Sequence, residues 1–80
     1  MSIEHAQLTL LTQMADQLTE DIDNLLRERG LLLALTIPDD PWMKAINRDL
    51  VDRVDRQVGI SSKLRDEVFR RKSEILYLIG

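Results

Sequence analysis

The side chains able to do chemistry in this chain are few and scattered. His5 is the single imidazole and there is no cysteine, so a hydrolytic constellation has one available base, placed at the beginning of the sequence. A nucleophile and its base must lie within hydrogen-bond reach, and Ser61 and Ser62 follow a glycine in the manner of helix caps rather than of activated hydroxyls. Carboxylates are plentiful. Asp49, Asp52 and Asp55 recur at every third position, and Glu20, Asp21 and Asp23 form a second group. Paired carboxylates on facing helices hold magnesium in some helical enzymes. Here Asp49 and Asp52 have Arg53, Arg48 and Arg56 one helical turn away, which is the pattern of a solvated face. The reading is a non-enzyme with no catalytic residue, no cofactor and no metal. A divalent-metal-dependent helical enzyme using the Glu20–Asp23 acids stands third among the functional readings.

Whatever elements position these residues belong to one small domain, residues 1–80. A chain of 80 residues buries roughly 60–65% of its unfolded surface, so its core is marginal without a staple. Disulfides are excluded and metal ligands are poor, which leaves oligomerisation. The lack of cysteine and of a basic-then-apolar leader reads as a cytoplasmic protein. The longest apolar runs, Leu31–Ile37 and Ile75–Ile79, are too short to span a bilayer, so no membrane partner is expected. The net charge of −3 is unevenly spread. Residues 1–30 carry six acids and two bases, whereas residues 51–80 carry five acids and seven bases. An acidic first helix and a basic last one attract each other, within one chain or across a dimer.

Periodicity predicts three helices. Leu8, Leu11, Ala15, Leu18, Ile22 and Leu25 alternate three- and four-residue steps, a seam that only a helix places on one face. Leu10, Met14 and Leu26 widen it. The first helix is expected over Glu4–Arg29, stopped by Gly30 as a left-handed cap, with Leu31–Ile37 as a short buried connection. Asp40 and Pro41 then start a second helix as N-cap and first helical residue. That helix, Pro41–Gln57, turns Met43, Ile46, Leu50 and Val54 inward, widened by Trp42, Ala45 and Val51. A turn over Val58–Ser62 leads to a third helix, Ser62–Leu78, with Leu64, Val68, Ile75 and Ile79 inward beside Phe69 and Leu76. Pairs such as Asp49–Arg53, Lys63–Glu67 and Asp66–Arg70 lace the outer faces at four-residue spacing. The predicted fold is all-α: a long first helix packed on a helical hairpin, with the first helix's seam paired to its symmetry mate in a homodimer.

The stretch Arg53-Val54-Asp55-Arg56-Gln57-Val58-Gly59-Ile60-Ser61-Ser62-Lys63-Leu64-Arg65 resembles a helix-turn-helix DNA reader. In that family a glycine permits the sharp turn, and the second helix enters the major groove with its N-terminal residues. The resemblance implies that Ser61, Ser62, Lys63 and Arg65 face bases, and that Arg70, Arg71 and Lys72 face phosphates. It covers about a quarter of the chain. Asp55 stands where the motif has a small alanine, and Arg65 where it has an apolar residue. The helical dimers of chorismate mutases are excluded, because they need an arginine early in the first helix and residues 8–20 contain no base.

The favoured reading is a small protein-binding regulator, adaptor or inhibitor with a protein partner and a helical, dimeric surface. Trp42, Met43, Tyr77 and Ile79 are its expected apolar contacts, since Trp and Tyr are favoured anchors. Arg70, Arg71 and Lys72 are its expected charged rim. Nucleic-acid binding through the helix after Gly59 is the alternative.

Overall fold

Ser2 opens the first helix, its hydroxyl accepting a hydrogen bond from the His5 N–H at 3.2 Å. The computed structural model describes residues 2–80, and from that cap α1 runs over Ile3–Ala34. Gly30 does not stop it. Leu31, Leu32 and Leu33 are good helix formers, and Leu32 extends the seam beyond Leu25 and Arg29, which offsets the ~1 kcal/mol that an interior glycine costs. The helix ends at Leu35, which turns extended ahead of Ile37 and Pro38. Leu31, Leu33 and Leu35 are exposed, so the expected buried connection over Leu31–Ile37 is instead a last helical turn and a short link.

Asp40 then caps α2, Pro41–Ile79, accepting from the Trp42 N–H at 2.9 Å with Pro41 in the first turn. These are the roles expected of both residues. The helix continues for 39 residues to Ile79. The described residues therefore form two helices, not three, and the all-α class holds while the three-helix count does not. Gly59 is the reason for the difference. It carries a negative φ and lies inside α2, so it makes no turn. Seam positions spaced three and four apart run unbroken across it, through Val54, Val58, Ser61 and Arg65. Burial along one unbroken seam outweighs the local weakness of one glycine.

The helices pack antiparallel along two seams. On α1 the seam is the predicted one, Leu8 to Leu25, continued by Arg29 and Leu32. It faces α2 of the same chain, with Ala15 3% exposed and Ile22 buried. On α2 the seam is Asn47, Val51, Val54, Val58, Ser61, Arg65, Val68, Lys72 and Ile75, of which Val51, Val54, Ser61 and Val68 are buried. Sequence reasoning placed Met43, Ile46, Leu50 and Leu64 inward, and the structure leaves all four more than a third exposed. A break at Gly59 lets each half choose its own inward face. A continuous helix must choose one, and the stripe through Met43, Leu50 and Leu64 also carries Arg53, Gln57, Glu67 and Arg71. The narrow valine–serine stripe packs closely instead.

Near the turn, a partly exposed ion pair joins the two helices, Arg29 to Asp55 at 2.6 Å. The expected four-residue lacing does not form among the described residues. Their ion pairs are Arg29–Asp55, Lys44–Asp39, Arg70–Glu67 and Arg71–Glu74. The Cα atoms extend over 60 × 14 × 14 Å, a rod two helices thick, and none of the described large side chains is fully enclosed. No described helix is long and apolar enough to cross a membrane.

Candidate interaction surfaces

Writing each helix as heptads, with the seam at positions a and d, sorts every other side chain by direction. Positions e and b form one flank of the rod, g and c the other, and f points straight out. Antiparallel packing sets the g positions of α1 beside those of α2, so each flank is built from both helices.

The g–c flank is the apolar one. From α1 it carries Leu10, Met14 and Leu31, and from α2 Met43, Ile46, Leu50, Ile60, Leu64 and Leu78. Every one of these is more than a third exposed. Two shallow grooves show how the helices share this flank. One, near the open end of the hairpin, is lined by Leu10, Leu11, Ile75 and Leu78 together with the polar Gln7, Arg71 and Glu74; the other, nearer its middle, is lined by Met14, Leu18, Leu64 and Val68 with Gln17. A polar belt of Asp21, Asn24, Glu28 and Gln57 lies between these grooves and the turn. The e–b flank is different. Its large apolar residues are Leu26, Leu33, Phe69 and Leu76, interleaved with Asp16, Asp23, Asp52, Asp55 and Asp66. Thr12 and Thr19 on that side turn their hydroxyls back to the carbonyls of Leu8 and Ala15.

The predicted contact residues do not form one patch. Trp42 and Tyr77 are 69% and 87% exposed, and both occupy f positions on the outermost line of α2. They lie five heptads apart, about 50 Å at 1.5 Å per residue. Met43 stays with Trp42 at the turn end. Arg70 joins Tyr77 at the open end, where the two line a groove with Ser73, Glu74 and Leu78. Ile79 closes the seam there, Arg71 pairs with Glu74 at 3.4 Å, and Lys72 is half-buried in the seam.

The DNA-reading geometry expected after Gly59 is not met, because no turn separates two helices there. Ser61 is 4% exposed, inside the seam, where Gln57 donates to its hydroxyl at 3.4 Å. Ser62, Lys63 and Arg65 occupy positions e, f and a, which point in three directions. Arg65 is itself a seam residue, and its Nε is enclosed without a hydrogen-bond partner.

Chemistry does not converge anywhere among the described residues. No three of their histidine and acidic side chains come together as a metal site. Glu20, Asp21 and Asp23 fall at positions f, g and b, so the helix directs them to different sides. Asp55 is engaged by Arg29 rather than gathered with Asp49 and Asp52.

The g–c flank is what sequence reasoning missed. Its signal was present: Leu10 and Met14 beside the first seam, and a leucine stripe beside the valine stripe after Pro41. Dividing the chain at Gly59 assigned that leucine stripe to the core. Comparison with known protein families, with curated proteins and with solved structures returned no match.

Proposed function

We propose that this chain is a small, cytoplasmic, non-enzymatic protein-binding hairpin that acts as a regulator, adaptor or inhibitor and works as a homodimer. One observation carries the reading. Among the described residues, eighteen large hydrophobic side chains remain more than a third exposed, on a rod of two helices with no convergent catalytic or metal-binding groups. Half of these side chains gather on the g–c flank, and large exposed apolar patches mark protein contacts. Trp42 and the Tyr77–Arg70 groove suit a partner protein, because position f stays open whatever covers the flanks.

The test is an affinity capture from source-cell lysate with the tagged full chain, split into nuclease-treated and untreated halves, beside Trp42→Ala and Tyr77→Ala. The expected result is one protein recovered equally from both halves and lost with either variant, while far-UV circular dichroism shows helicity unchanged. Capture that vanishes with nuclease, or that ignores both substitutions, overturns the proposal.

A further inference from the structure

We infer that the g–c flank, centred on Leu10, Met14, Leu50, Ile60 and Leu64, is the homodimer interface, and that a second copy seats the same flank on it to complete a four-helix bundle. The inference rests on the reading that the working form is a homodimer, and it assigns that dimer a different surface from the first-helix seam, which α2 already occupies.

The surface area supports a constitutive partner. The chain exposes 6289 Å² for 9.3 kDa, whereas a globular monomer of that mass exposes about 5,000 Å². The surplus is about 1,300 Å² per chain, above the roughly 800 Å² per partner of a standard interface and within the range of obligate homodimers. A core without disulfides and without any fully enclosed large side chain needs this cover whenever the chain is folded. A second copy is present whenever the first is.

Sequence pattern selects the flank. Helices of four-helix bundles are apolar at a and d and also at e or g. On α2, four of the six g positions are Met43, Leu50, Leu64 and Leu78, while Pro41, Arg48, Asp55 and Ser62 occupy four of the six e positions. The flank also matches itself under two-fold symmetry. With both hairpin turns at one end, α1 of each copy lies against α2 of the other, level with level. Met14 then comes level with Arg71, Asp21 with Leu64 and Glu28 with the uncharged Gln57, so neither acid faces a like charge. Trp42 and Tyr77 remain outside the bundle.

Sedimentation equilibrium of the full chain, with thermal melts at several concentrations, tests the inference. Wild type is expected at twice 9.3 kDa, with a Tm that rises with concentration. The double substitution Leu50→Glu with Leu64→Glu is expected to halve the mass or to lose helicity. Phe69→Glu with Leu76→Glu, on the opposite flank, is expected to stay dimeric. Because the first variant can unfold, a second measurement uses mild single-cysteine variants in this cysteine-free chain. A short bis-maleimide should join two copies at Gln57→Cys and leave Lys63→Cys uncrosslinked.

A helical wild-type monomer at 100 μM overturns the homodimer itself, and with it this inference. A dimer that survives Leu50→Glu with Leu64→Glu, or that cross-links at Lys63→Cys and not at Gln57→Cys, overturns the assigned face alone. Neither result touches protein capture through Trp42 and Tyr77.

Discussion

Replacing Gly59 by alanine distinguishes a continuous α2 from a turn between two helices, because the sign of the effect differs. In the structure Gly59 has a negative φ, its position is exposed, and a Cβ built on it meets nothing within 4 Å. The substitution therefore adds no clash and removes the conformational freedom that makes glycine a poor helix residue. The gain is about 0.8–1 kcal/mol per chain. For a domain of this size, 1 kcal/mol corresponds to about 4–8 °C in Tm. Were Gly59 the positive-φ residue of a turn, alanine would instead cost more than that gain. Thermal melts followed at 222 nm, with wild type and variant at one protein concentration, read the difference directly. Equal concentration matters because an associating chain has a concentration-dependent Tm. A fall in Tm on Gly59→Ala would refute the continuous helix and, with it, the assignment of Ser61 and Arg65 to the seam.

Two further substitutions probe the seam. Ile22→Ala removes a buried side chain opposite the Ser61–Arg65 stretch and is expected to cost about 2–4 kcal/mol in urea denaturation; a cost under 1 kcal/mol would mean that Ile22 is not in the core. Arg65→Met keeps an apolar side chain reaching as far as the Nε position and removes an enclosed Nε that has no hydrogen-bond partner. It is expected to leave stability unchanged or raise it by up to about 1 kcal/mol, whereas a loss above 1 kcal/mol would show that the guanidinium has a stabilising partner.

How much of this fold was legible depended on whether a signal was local or relational. The cap at Asp40, the start at Pro41 and the single apolar face from Leu8 to Leu25 follow from short-range rules and stand in the structure, but that face packs on α2 of the same chain rather than on a symmetry mate. Gly30 and Gly59 were misread for one shared reason. A glycine weakens a helix by about 1 kcal/mol, and whether the helix yields depends on the burial gained by continuing. For Gly30 that burial comes from Leu32, and for Gly59 from the whole stripe between Val51 and Ile75. Neither gain is visible in a window around the glycine. The exposed positions of Trp42 and Tyr77 were open to sequence reasoning, but their separation was not, because it follows from α2 being one straight helix.

The choice of seam on α2 links the fold to the surface it offers. Valine and serine at Val51, Val54, Val58, Ser61 and Val68 let two helices approach closely but enclose little volume, so the larger Leu50, Ile60 and Leu64 are left beside the seam. Placing those residues inward would have made a thicker hairpin core and drawn Arg53, Gln57, Glu67 and Arg71 toward it. The leucines stay out on one flank together with Arg53, Glu67 and Arg71, the flank proposed above to take a second copy. In that proposal the hairpin folds on the valine seam and associates through the leucines beside it. A ligand that binds only the folded state stabilises it by RT ln(1 + [L]/Kd), so a second copy stabilises each hairpin in proportion to how well this flank is covered. Substitutions at Leu50 or Leu64 should therefore shift mass and Tm together. Substitutions at Trp42 or Tyr77, outside the bundle, should shift neither.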